Sequence, residues 1–453
     1  MNVRDWFTFD TRVSRRDYLT SGLFLVVLKY AGDVLIVWIG AGEFWRPLDY
    51  ASPLSSLLST RLRTAPPNLL PILALWSLPF LWIGVSMSMR RALDAGRSAW
   101  LALLFFVPGV NYVFIAVMCA LPSRAPASPP LHPPRPYEHR LPSALMAIAC
   151  GATIGLGMLA LSVYGLQRYG AALFLGTPFV IGAMTAFFFN RRYAATGRET
   201  QQVVLMTMGI VAGVTLLTAA EGAICLLMAA PLAVIIGAMG AVLGRFIALN
   251  DAGGSSHAAL AMLALPLTAT FAGPTPPAPL REVRSSIEID ATPMEVWKHV
   301  IVFPPLPEPS DLIFRVGIAY PQRATITGEG VGAVRRCVFS TGAFVEPITR
   351  WEPGRRLSFD VDSQPRPMQE WSPYADITPP HLDGYFRSRK GEFRLIALPH
   401  GRTRLEGSTW YEMRLQPAAY WVLFGDGIIH RIHGRVLAHI DAATRADRLP
   451  PHS

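Results

Sequence analysis

The chain has 453 residues, 51% of them hydrophobic, and its mean hydropathy of +0.32 is that of a membrane protein rather than an ordinary soluble one. Of its net charge of +10, +8 falls before residue 281 and +2 after it, so the basicity belongs to the apolar half, where flanking arginines orient membrane segments. No basic stripe with interleaved aromatics occurs, which excludes a nucleic-acid partner, and four dispersed cysteines exclude a disulfide framework or a Cys-rich zinc site.

Residues 18–40 form the first apolar stretch, read as an uncleaved span. Arg4, Arg12, Arg15 and Arg16 precede it and would hold the N-terminus in the cytoplasm. Lys29 and Asp33 lie inside it at i, i+4 and can neutralise each other on one helical face. Residues 68–89 are the second span, ending in Arg90, Arg91, Asp94, Gly96, Arg97, Ser98 and Trp100. With Phe9, Arg12, Arg15 and Tyr18, this run resembles a bacterial inner-membrane family of unknown function that carries an RR-x-H-D-x-G-R-S-G-W signature. Leu93 stands at the signature's His and Ala99 at its second Gly, so no proton or metal role carries over from that His.

Residues 100–121 are interrupted by Pro108 and Gly109. Turning back there as a hairpin places far more loop arginines on the cytoplasmic side than a single crossing does, and the positive-inside rule favours the hairpin. A Pro-rich linker over 122–140 separates this N-terminal membrane domain, 1–121, from a second membrane domain, 141–272. The second domain holds apolar runs at about 141–165, 171–189, 202–220 and 222–244 and a short last one at 258–272. Gly240 and Gly244 suggest close helix packing, and Glu221, between two apolar runs, marks either an aqueous turn or a buried proton or cation site.

After a Pro-rich spacer over 273–283, the pattern changes. Residues 286–290 alternate as a half-buried strand does, and Thr292 then offers an N-cap with Pro293 in the first helical turn. Strand-like runs follow at 323–328, 334–340, 344–351, 356–361, 384–398 and 403–415, and one long helix spans about 417–446 before a short tail, 447–453. This order resembles the START-like (SRPBCC, polyketide cyclase/dehydrase-like) superfamily over 284–446. The resemblance implies an α+β helix-grip domain with a curved antiparallel sheet, a cavity for an apolar molecule between sheet and helix, and catalysis in some members only.

On the terminal helix, Ile429, Ile432, Val436 and Ile440 share one face, with His433 in the stripe, His430 at its edge and Asp426 two turns earlier. Three roles stay open for Asp426, His430 and His433: satisfied core groups, ligand recognition, or acid/base catalysis by Asp426 and His433. Trp410, Tyr411, His381 and Arg387 are further ligand-contact candidates, and Glu346 and Glu370 could meet a headgroup. His381 and Asp383 could join a metal site only if the fold brought them near the helix histidines; the reading assigns no metal and no cofactor. The expectation is a multi-pass inner-membrane protein with membrane lipids and a hydrophobic small molecule as partners. Its START-like domain is expected in the periplasm, with the cytoplasm as the alternative. A cyclase-like enzyme and a non-catalytic assembly or sensory protein are the competing readings.

Overall fold

A computed structural model describes residues 6, 12–51, 69–97, 99–106, 110–124, 140–250, 278–374 and 377–448. The chain divides into two compact units, Met1–Thr215 with Met228–Pro276, and Leu216–Leu227 with Pro277–Ser453.

The first unit is helical. Helix α1, Arg15–Ala41, starts at an N-cap Ser14 that accepts from the Asp17 amide and ends where Gly42 turns left-handed. It leaves Leu23, Val27 and Ile39 60–72% exposed, the apolar surface expected of a lipid-facing helix. Its Lys29 and Asp33 pair at 2.5 Å, and Tyr50 donates to the same carboxylate, so both charges have partners. Helix α2, Leu69–Asp94, runs into a 3-10 helix, Ala99–Phe106, and α3 follows over Val110–Ala120. Pro108 and Gly109 lie outside the described residues, but the chain demonstrably comes back. The Arg91 guanidinium donates to the carbonyls of Met118 and Leu121, Asp94 accepts from the Ser123 hydroxyl at 2.5 Å, and the Arg124 amide reaches the Asp94 carbonyl at 2.8 Å. The segment therefore starts and finishes beside the end of α2, as a hairpin does. Arg91, fully buried, ties off the carbonyls that α3 leaves open at its C-terminus.

Helices α4 (Arg140–Ala160, continued by a π-turn to Gly165), α5 (Thr177–Arg192, preceded by a π-turn from Ala172), α6 (Gly197–Leu217) and α7 (Ala223–Asn250) follow. Among the described residues, five helices are long and apolar enough to cross a membrane: Arg15–Ala41, Arg140–Gly165, Ala172–Arg191, Gly197–Leu217 and Ala223–Leu249. Helices α5 and α7 touch backbone to backbone: a Cβ on Gly182 would strike the Gly237 carbonyl, one on Gly240 the Phe179 carbonyl, and one on Gly244 the Ala183 carbonyl. Residues 258–272, the short last apolar run, lie outside the described residues.

The second unit is built on a seven-stranded antiparallel sheet. Its strands are β1 Leu280–Ile289, β2 Pro321–Thr327, β3 Val334–Phe339, β4 Gly342–Glu352, β5 Arg356–Asp360, β6 Phe386–Leu398 and β7 Arg402–Met413. They lie in the order β1-β7-β6-β5-β4-β3-β2, so the first strand pairs with the last and β2 ends the opposite edge. Register shifts at Pro321/Arg323, Ile348/Arg350 and Ser388/Lys390 bend the strands and curve the sheet. Between β1 and β2 come α8, Pro293–Ile301, and the single turn α9, Leu312–Arg315; β7 leads into α10, Ala418–Ala446. A reciprocal capping box starts α8: Glu295 accepts from the Thr292 amide at 2.7 Å, while Pro293 fills the first turn.

Helix α10 packs on β1, β7 and β2, closing the curve from both edges. Val436, Leu437 and Ile440 meet Leu357, Leu395 and Leu405 from the sheet and Val296, Trp297 and Val300 from α8 in one core. The apolar stripe expected on the terminal helix is the one that is buried, with Ile429 4%, Val436 7% and Ile440 0% exposed.

Candidate functional site

Between the concave face of the sheet and α10 lies a cavity of about 120 Å3. Alternate residues of β3 and β4 line it, because side chains two apart share a face, and consecutive residues of β6, Lys390 to Phe393, and β7, Gly407 to Thr409, run along it. Phe339, Phe344, Phe359 and Phe393 line the sheet side, and Ile429, Ile432, His433 and Val436 close it from the helix. Gly391 and Gly407, diagonal neighbours on β6 and β7, leave bare backbone in the wall; a Cβ on Gly391 would press into the Phe359 ring.

His433 is the helix's polar group in that wall. Its Nε2 meets the Thr409 hydroxyl at 2.8 Å and its Nδ1 the Ser285 hydroxyl at 3.2 Å. Both partners can donate or accept, so a neutral imidazole is satisfied in either tautomer. Burial, reinforced by nearby His430, pushes its pKa down to about 4, so it is neutral near pH 7.

Opposite lies a buried ion pair. Arg335 of β3 and Glu346 of β4 face each other in register, 2% and 5% exposed, and the guanidinium donates to the carboxylate. Phe303, Phe359 and Phe393 place their ring centroids 5.4–5.7 Å from the guanidinium carbon. Burial raises the Glu346 carboxyl above the usual range against the pull of Arg335, while Arg335 holds its proton more firmly than usual. The Cys337 thiol on the same wall is pushed up to about 12 by burial and the Glu346 charge, which makes it a weak nucleophile.

Of the residues singled out from the sequence, His433 and Glu346 line this cavity and the others sit elsewhere. Asp426 is held by Arg281 at 2.6–3.1 Å and accepts from the Tyr411 hydroxyl at 2.7 Å. Burial, and then that link, raises the Tyr411 phenol pKa. Asp426 and His433 therefore each bond to other partners. His430 is exposed and meets Ser285 at 2.8 Å. Trp410 lies under the Lys390 ammonium, 4.8 Å from its ring centroid, and points away from Tyr411 as neighbours on a strand must. Arg387 is half-buried on β6 opposite Glu412, outside the cavity lining. His381 lies in the turn Pro380–Leu382 beside Glu221 and Cys225, with Asp383 exposed, and Glu370 accepts from the amides of Ile224 and Cys225.

The sequence reading overlooked Arg335 and the phenylalanine wall. A signal was present: in a β3–β4 hairpin that turns at Ser340 and Thr341, Arg335 and Glu346 stand equally far from the turn, opposite charges bound to meet.

A curved antiparallel sheet in this order around one long C-terminal helix defines a helix-grip domain, joined here to a set of apolar membrane-length helices. Residues 6–128 match a family described as a protein of unknown function, DUF805. No curated protein matches the chain. Among solved structures, the chain is similar to the Zhui aromatase/cyclase of a Streptomyces species, with 16% identity over 38% of this chain and 96% of that one and a TM-score of 0.24. Norcoclaurine synthase from Thalictrum flavum, in complex with dopamine and hydroxybenzaldehyde, is 10% identical over 38% of this chain and 90% of that one, with a TM-score of 0.25. The protein XoxI from Bacillus cereus is 14% identical over 37% of this chain and 99% of that one, also at 0.25. The assignment of the fold stands on the strand order and the terminal helix themselves.

Proposed function

We propose that the helix-grip unit is a binding module for a small, mostly apolar molecule of one ring, in a multi-pass protein of a bacterial inner membrane. The observation that carries this is the cavity: about 120 Å3, walled by phenylalanines, with His433 neutral and held by Thr409 and Ser285, so the helix side of the wall carries no charge. An apolar cavity of roughly 150 Å3 is enough for benzene, whereas drug-sized ligands occupy roughly 300–1,000 Å3, so a ring compound fits this space better than a lipid chain. The cyclase-like alternative has less support, because Asp426 is engaged by Arg281 and Tyr411 rather than by His433. The orientation proposed with this reading has the N-terminus in the cytoplasm and the binding unit in the periplasm.

The test is mass spectrometry of solvent extracts from purified full-length protein and from Val436→Trp, which fills the cavity. A ring compound enriched with the wild type and lost in the variant is the expected result; identical extracts would reject the binding role. A periplasm-active reporter fused after Ser453 should be active, and a stable but silent fusion reverses the orientation.

A further inference from the structure

Away from the cavity, four side chains of the second unit converge on one point. Glu221 lies in the turn before α7, Cys225 in the first turn of α7, Met368 after β5 and His381 in the turn Pro380–Leu382. Glu221, Met368 and His381 are each 7–8% exposed. Cys225 Sγ lies 2.8 Å from His381 Nε2 and 3.9 Å from Met368 Sδ, and Glu221 Oε2 lies 3.2 Å from His381 Nδ1. The ligand atoms of Glu221, Cys225 and His381 all fall within 4.8 Å of one another.

The position of Cys225 is set by its backbone. The Glu370 carboxylate accepts from the amides of Ile224 at 3.0 Å and Cys225 at 3.2 Å, satisfying two donors that a helix start leaves open. Gly222 is required there, because a Cβ would run into that same carboxylate. The thiol is thereby held against the imidazole and the thioether.

We propose that Cys225, His381 and Met368 bind a monovalent copper ion, with Glu221 as the carboxylate that fixes the imidazole. Two bonds of about 2.3 Å from one tetrahedral ion to two sulfurs separate those sulfurs by about 3.8 Å, close to the spacing of Cys225 and Met368. The thiol and imidazole must open by about 0.7 Å to reach the roughly 3.5 Å edge of such a site. Thiolate and thioether together favour Cu+ over Zn2+, which takes thioethers poorly. Glu221 on Nδ1 leaves Nε2 facing the sulfurs, the arrangement in which a carboxylate orients a ligating histidine. Coordination replaces the S–H of Cys225 with an S–Cu bond, and the proton leaves to solvent, one per ion.

Full-length protein in detergent, titrated anaerobically with Cu+ against a chromophoric chelator, tests this. The expected result is one ion per chain with two sulfur neighbours in copper-edge X-ray absorption. Cys225→Ser and His381→Ala should abolish it, Cys150→Ser should leave it intact, and Glu221→Gln should weaken it about 10- to 100-fold. Met368→Leu should weaken Cu+ at least about tenfold and leave Zn2+ binding unchanged. Copper bound equally by Cys225→Ser overturns the site. Preference for Zn2+, with Met368→Leu indifferent, overturns the copper assignment. Should Cys225→Ser fail to fold, the sulfur count at the copper edge and the Met368→Leu titration decide between the same two outcomes.

Discussion

His433 illustrates what burial does to one group. Native His433 takes a proton only near pH 4, whereas the unfolded chain takes it near 6.5. The unfolded state binds more protons between those values, so stability is full above pH 6.5 and is lost as pH falls towards 4, by about 3 kcal/mol from this group. Histidine C2-hydrogen exchange followed by mass spectrometry on the full-length protein should give His433 the low midpoint; one near 6.5 would contradict its burial. Arg335 and Glu346 make a second case. Glu346→Gln strands a buried guanidinium and should cost about 3–5 kcal/mol by thermal melting, whereas the double change Arg335→Met, Glu346→Leu should cost much less. That pair was readable from the hairpin's symmetry. The ring of phenylalanines was not, because strand alternation says which residues share a face but not how far a sheet curls around them. His381 was legible as a ligand-contact candidate, and as a metal ligand only with Asp383 and the helix histidines; its actual neighbours Glu221 and Cys225 precede it by more than 150 positions.

At the scale of elements, patterning located helices and strands well, because their signals are local. The terminal helix runs Ala418–Ala446 with the expected face buried, and the Thr292 cap and Pro293 start α8 as the sequence suggests. Removing the cap with Thr292→Ala should lower stability by about 1 kcal/mol, measured by thermal melting of the full-length protein. The first strand begins at Leu280, six residues before the alternating stretch, because pairing with β7 extends it beyond the positions whose burial alternates. In the membrane unit, Gly240 and Gly244 read as packing glycines, and α5 does approach α7 there. Gly244→Val should push the Ala183 carbonyl away and reduce yield and melting temperature in detergent, while Gly209→Val, on a glycine with open space around it, should change neither.

For the molecule as a whole, composition and charge divided the chain near residue 280, while Leu216–Leu227 belongs with the second unit by its contacts. Hydropathy could not reveal this, because those residues are as apolar as the spans on either side of them. The arrangement of the sheet has a consequence for synthesis. Strand β1 is made first and must wait for β7, whose Glu412 pairs with Leu280, before its inner edge is covered. Ribosomes deliver about 5–20 residues per second, so β1 stays open for several seconds with its row of amides and carbonyls unmatched. Chains stalled before residue 402 should be cut by protease within β1, and chains released after residue 448 should resist. Every round of production therefore passes through an interval in which β1 is open to wrong pairing, a cost set by the strand order and not by the core.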